Sequence, residues 1–329
     1  MFEFQRVESL SQLPPPDARF IDVALLDMNH RWLNVGHESI VRAVRSLSEE
    51  LAGMHQDVRV RLFSFDVRDR MIVPQHDGRF ELYVGTGGPG HLDPRENLGR
   101  GEAEIEEDAS WEAPVFALFD AIRDDQDAAL VGVCHTFGLL CRWSGVAQPM
   151  LRGAELLGKS IGVQHNVLTE AALAHPWFSR LAESVGTHVP VVDHRYYDLV
   201  ASNGVPRGTT VIGYESDMAG RQSVVTMVEF ARNEGDPVPR IFGSNHHPEI
   251  PNVQDLGALL DDKLKTGEVT REWYDSRAIV ITVLQRDDHD ERARLLTSEY
   301  TFTGILRVQL ERLIARRAAR HGRTVSAAL

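Results

Sequence analysis

The stretch Ala128-Ala129-Leu130-Val131-Gly132-Val133-Cys134-His135-Thr136-Phe137-Gly138 decides the fold: an apolar strand run ends directly on a cysteine, and residues 136–143 continue as a short buried helix. A side chain on a tight turn between strand and helix is pushed above the sheet edge, with the helix N-terminus beneath it. The unpaired N–H groups and positive dipole end there favour a thiolate over a thiol. Gly132, two residues before Cys134, relieves crowding at such a turn. Taken alone, Cys134 reads more readily as a core cysteine than as a nucleophile, since free cysteines are commonly buried. Two other segments turn the reading toward chemistry.

About a hundred residues further on, Asn245-His246-His247-Pro248-Glu249 offers the base and the orienting carboxylate that a nucleophilic thiol requires. Upstream, Leu82-Tyr83-Val84-Gly85-Thr86-Gly87-Gly88-Pro89-Gly90 is a strand opening into a glycine-rich turn. Its backbone N–H groups can approach a ligand closely and line an oxyanion hole. No Gly-Lys-Ser/Thr follows these glycines, which excludes a phosphate loop. The three segments together point to a cysteine hydrolase or transferase.

In this order they resemble the class I glutamine amidotransferase family. Residues 85–90 look like its Gly-Gly-Pro-Gly oxyanion strand, Gly132-Val133-Cys134 like its Gly-x-Cys elbow, and residues 243–249 like its Gly-x-Gln-x-His-Pro-Glu element. The resemblance covers roughly residues 22–249 and implies a Cys134, His247, Glu249 triad, with oxyanion donors from Gly87, Gly88 and the backbone N–H of His135. It places His194, Arg195 and Tyr196 in the substrate-holding segment. It also implies a flavodoxin-like three-layer α/β fold with a mainly parallel central sheet, an amide substrate such as glutamine, a partner in the form of a synthetase or acceptor subunit, and no cofactor or metal.

Two positions depart from the family. Its members usually continue Cys-x-Gly-x-Gln, whereas here Thr136 replaces the glycine and Gly138 the glutamine that helps hold the substrate. Homoserine acyltransferases of the same fold also combine an elbow cysteine with His-x-Glu, and residues 194–198 have some likeness to theirs. The Cys134-His135 pair is similar to that of DJ-1/PfpI-type proteins, where the adjacent His can be the partner. Acyl transfer with the same triad, or a non-catalytic binding module, are therefore the alternatives to amide hydrolysis.

The chain divides into an N-terminal arm (1–20, closed by Leu13-Pro14-Pro15-Pro16), an α/β domain (21–250) and a helical C-terminal extension (251–329). Residues 23–27 read as a buried strand. Apolar spacing through Ile40, Val41, Val44, Leu47 and Leu51 predicts a helix over 39–51, and alternation over 58–65 predicts a strand with one wet face. Residues 97–108 read as an insertion, 111–122 as a helix, and 253–264 and 292–317 as further helices.

At 329 residues and 43% hydrophobic, the chain can bury a large core, and a net charge of −13 argues against nucleic acid. No run reaches membrane-helix length, and the first residues lack a signal pattern, so a cytoplasmic location is expected. The 2 cysteines, Cys134 and Cys141, are poorly placed to pair. The acidic runs (Glu102, Glu104, Glu106, Glu107, Asp108 and residues 287–291) read as solvated surface. His165, His175, His188 and His194 lack metal-ligand spacing. Arg307, Arg312, Arg316, Arg317, Arg320 and Arg323 read as the solvated face of a helix that packs Leu306, Leu310, Leu313 and Ile314 inward, or as a surface for an acidic partner.

Overall fold

The computed structural model describes residues 1–30, 34–55, 59–99, 105–152, 160–202, 204–215, 224–251 and 291–327, with scattered positions between 257 and 282; the side chains of 161 and 320–327 lie outside the description. The strands are β1 Phe2–Val7, β2 Ile21–Asp27, β3 Val60–Asp66, β4 Leu82–Gly85, β5 Ala129–Val133, β6 Ala147–Leu151, β7 Ser160–Leu168, β8 His188–Arg195, β9 Tyr197–Ala201, β10 Thr210–Glu215, β11 Val225–Ala231 and β12 Ile241–Ser244. Ten of them form one sheet in the order β1-β3-β2-β4-β5-β12-β11-β10-β7-β8, while β6 and β9 form a separate ribbon. The run from β1 to β12 is parallel throughout. From β12 to β8 the pairings are antiparallel.

Helices cover both faces, giving the three-layer α/β fold with a mainly parallel sheet. On one side lie α1 Val35–Met54 and a C-terminal helix, and their apolar residues form a cluster with Val23, Leu25, Leu62, Val84, Val131 and Phe242. On the other lie α2 Glu112–Asp124 and α3 His135–Ser144, packed on Leu26, Phe63, Tyr83 and Leu130. Helix α1 starts where Asn34 caps the Gly36 N–H at 2.7 Å, and it buries the predicted stripe from Ile40 to Leu51. Two short helices, α4 Glu170–Leu173 and α5 Phe178–Val185, connect β7 to β8.

Three expectations change. The 1–20 segment supplies β1, which pairs along the edge of β3. That cover, together with Arg61 held by Asp22 at 2.7 Å and Ser64 by His37 at 2.9 Å, leaves β3 without the wet face its alternation predicts. The sheet's far wing is antiparallel because β11 and β12 are joined by nine residues without a helix, too few for a parallel crossover.

The C-terminal segment belongs to the core. Helix α6 Glu291–Ser298 passes through a π-turn at Glu299–Thr303 into α7 Gly304–Ala327, and Phe302, Ile305, Leu306, Leu310 and Leu313 are buried against the sheet. Three arginines of its stripe meet acids of the chain itself: Arg307 pairs with Glu50, Arg312 with Asp236 at 3.2 Å and Arg316 with Asp127. The helix expected over 253–264 and the acidic run 287–290 fall largely or wholly outside the described residues. No described helix is long and apolar enough to cross a membrane.

Candidate active site

Three segments far apart in sequence meet because their strands are neighbours. Gly85 of β4 lies in register with Gly132 of β5, and Val133 of β5 with Ser244 of β12. All three run parallel, so the residues leaving their C-terminal ends emerge at one sheet edge, where open α/β folds place their sites.

Cys134 sits on the turn between β5 and α3 with φ +46° and ψ −97°, outside the regions comfortable for a residue with a Cβ. The turn is fastened on both sides: Cys134 N–H donates to the Ser244 carbonyl at 2.8 Å, and its own carbonyl accepts from Gly138 N–H at 2.9 Å. Such strain, of order 1–3 kcal/mol, persists where the surroundings over-determine it. Gly87 lies directly over the turn. A Cβ there would stand 3.1 Å from His247 Cε1 and 3.8 Å from Cys134 Sγ, so glycine leaves the room in which thiol and imidazole face a common space. Among the described residues, no backbone acceptor takes the N–H of Gly87, Gly88 or His135.

His247 and Glu249 stand on the loop after β12. His247 N–H donates to Val192 of β8 at 2.8 Å, so the wing curls back to hold this loop. The ring Nδ1 meets Glu249 Oε1 at 2.8 Å. The other nitrogen, Nε2, has no well-formed hydrogen bond among the described residues and is left to the Cys134 sulfur. Burial alone disfavours the imidazolium, yet the charges of Glu249 and then Cys134 outweigh it and hold His247 well above its ordinary value. Looseness between thiol and imidazole is common before substrate tightens such a pair. Glu249 is wedged against the first turn of α1, within 2.6 Å of where a Cβ on Gly36 would stand.

The neighbouring histidines differ in kind. His246 is buried, and desolvation, then the charges of His247 and Arg195, push it down to about 3. Burial, then Arg68, Arg142 and His91, hold His135 well below its ordinary value, and its ring faces the Gly88 carbonyl. Both are neutral, and neither meets a carboxylate as His247 does. Cys141 is fully buried in the core, which raises its thiol well above the usual range.

The substrate-segment residues separate. His194 stands beside His247, ring centroids 6.4 Å apart. Arg195, next along β8, points to the opposite face. There it is buried among Asp193, Asp198 and Glu215, with each guanidinium nitrogen on a carboxylate, so its charge is committed to the protein's own acids. Tyr196 is 40% exposed.

Both departures after the cysteine have a local counterpart. Thr136 Oγ1 donates to the Thr86 carbonyl at 2.8 Å, and its side chain occupies the space left by Gly85. The Leu92 side chain fills the room that any side chain at Gly138 would need.

Sequence reasoning missed Arg68, which is fully buried. Nε and Nη2 grip Glu107 at 2.9 and 2.7 Å, while Nη1 donates to the carbonyls of Met28 and Pro89 at 2.9 and 2.6 Å, tying the glycine turn to β2. Glu107 is thus an internal counter-ion, contrary to the solvated reading of its acidic run. Residues 39 positions apart carry no local signal of such a pair. His175, likewise, is held at 2.9 Å by Glu229. Among the described residues, no group of three or more His, Cys, Asp or Glu is placed to hold a metal ion.

No family model matches the sequence, and no curated protein matches it. Solved structures do. A glutamine amidotransferase from Thermotoga maritima is similar with a TM-score of 0.50 at 13% identity, covering 89% of this chain and 98% of that one. A candidate GMP synthase component from Thermoplasma acidophilum has a TM-score of 0.42 at 14% identity, covering 70% and 84%. At 13% identity the first likeness concerns architecture alone, and the architecture is that of a glutamine amidotransferase-like fold.

Proposed function

We propose that this chain is a class I amidotransferase-like enzyme that hydrolyses a carboxamide through a thioester on Cys134. The observation that carries the reading is the convergence at Gly87, where the Cys134 sulfur and the His247 ring lie within 4 Å of one point. In this mechanism the Cys134 thiolate attacks the amide carbon, and the resulting oxyanion is received by the N–H groups of Gly87, Gly88 and His135. Collapse expels ammonia as the His247 imidazolium gives its proton to the leaving nitrogen. His247, now neutral and oriented by Glu249, takes a proton from water, which attacks the thioester; the carboxylic acid leaves and the thiol is regenerated.

Glutamine is the reference substrate, and the Leu92 side chain at Gly138 supports weak use of it by the chain alone. A synthetase or acceptor subunit that completes the pocket would raise turnover. His194 and Tyr196 are better placed than Arg195 to meet a substrate. A free nucleophilic thiol suits a reducing, cytoplasmic setting. The same Leu92 observation favours a second reading, in which the triad transfers an acyl group from a thioester donor. Incubation with glutamine, and separately with acyl-CoA donors, followed by intact mass spectrometry, distinguishes them. A glutamyl adduct with ammonia release, absent in Cys134→Ala, supports the amidase; an acetyl or succinyl adduct supports acyl transfer. No adduct from either donor, with cell extract added to supply a partner, leaves a binding module.

A further inference from the structure

Between His247 and Glu249 the backbone has little freedom. Proline fixes φ at 248, and the peptide that follows is planar. The direction of the Pro248 carbonyl, set by ψ at 248, therefore determines where Glu249 presents its carboxylate. The turn closes with Ile250 N–H on the His247 carbonyl at 3.2 Å, which leaves the Pro248 carbonyl outside that bond. Its partner comes from the C-terminal helix: Ser298 Oγ donates to Pro248 O at 2.5 Å, in a buried setting.

Ser298 is the last residue before the π-turn. One inserted residue rotates a helix face by about 100°, so α6 can turn buried polar residues to the loop while α7 turns Ile305, Leu306 and Leu310 to the sheet. The turn is itself pinned, since the Trp177 indole donates to the Tyr300 carbonyl at 2.7 Å. Thr297 and Thr301, also buried, direct their hydroxyls to Ala293 and Thr297 of their own helix. Ser298 is the member of this set whose hydroxyl crosses to the loop.

We infer that Ser298 is a positioning residue for the His247–Glu249 pair, and that the C-terminal helix is thereby part of the catalytic support. The inference rests on the triad reading of Cys134, His247 and Glu249. Its test needs no substrate: the rate of Cys134 alkylation by iodoacetamide, followed by peptide mapping across pH, reports the thiolate–imidazolium pair. The wild type is expected to react faster than glutathione at about pH 6. Ser298→Ala should lower that rate about ten-fold and move the profile toward that of an ordinary thiol. Thr301→Ala should lose comparable thermal stability and keep the wild-type profile. If Ser298→Ala folds poorly, Ser298→Thr and Ser298→Val, alike in shape, isolate the hydroxyl: the threonine variant should keep the profile and the valine variant lose it. A wild-type profile with low-pH reactivity that Ser298→Ala or Ser298→Val leaves unchanged overturns the inference alone. A wild-type profile like that of glutathione removes the triad reading, and this inference with it.

Discussion

The antiparallel wing and the loop ends of β4, β5 and β12 both bury charged and polar groups, and they treat them in opposite ways. In the wing, Arg195 distributes its guanidinium over three carboxylates, Arg152 adds a second cation on Asp198 at 2.6 Å, and Ser160 closes on Asp193 at 2.6 Å. At the loop ends, the Cys134 backbone is strained, His246 is buried neutral, and His247 keeps one nitrogen without a well-formed bond. Paired charge fixes geometry, whereas strain beside an open imidazole nitrogen is what a reacting group needs. The two regions touch, because the edge strand β8 anchors the His247 backbone. The wing is thus the scaffold on which the less satisfied site is held.

If the contrast is right, substitutions should sort by region. The largest effect belongs to Cys134→Ala and His247→Ala, each expected to reduce turnover by about 10⁴-fold or more because such residues act as a unit, with the melting temperature of Cys134→Ala near wild type. Glu249→Gln keeps the ring's neighbour but not its charge and should be about 100-fold milder. In the wing the order reverses. Arg195→Ala strands the buried Asp193 carboxylate and leaves Asp198 and Glu215 to Arg152 alone, and should cost about 3–5 kcal/mol in urea unfolding, with activity per folded molecule retained. Strong loss of activity at unchanged stability in Arg195→Ala would break the comparison.

A smaller effect separates the two histidines by the sign of their pH dependence. His246, held near 3 against 6.5, refuses a proton that the unfolded chain accepts, so stability falls as pH drops from 6.5 toward 3. His247, held above 6.5, contributes stability that is complete below 6.5 and is lost as pH rises through its raised value. His246→Gln should therefore flatten the acid limb of a stability–pH curve and His247→Gln the alkaline limb, each by at most about 1.4 kcal/mol per pH unit. Chemical denaturation from about pH 4 to 9 reads both slopes.

What the sequence discloses follows from range. The strand into Cys134, the glycine turn and the apolar stripe of α1 are local patterns, and each is legible from a dozen residues. Hydropathy reports that a residue is buried without naming what covers it. For that reason the 1–20 segment reads as an arm although it supplies β1, and Arg195 reads as a substrate ligand although Asp193, Asp198 and Glu215 claim it. The Arg68–Glu107 pair and the Ser298 bond to Pro248 join residues far apart on polar segments, where no periodicity marks a partner. The candidate site's residues can be picked out along the chain; what packs around them requires the fold.

The claim that strain and a charged imidazole activate Cys134 is tested by its alkylation rate at neutral pH, set against glutathione in wild type and His247→Ala. Cys134 should label faster than glutathione in the wild type and fall to or below it when His247 is removed, with Cys141 silent in both. A Cys134 that labels no faster than glutathione, or whose rate is indifferent to His247, would contradict it.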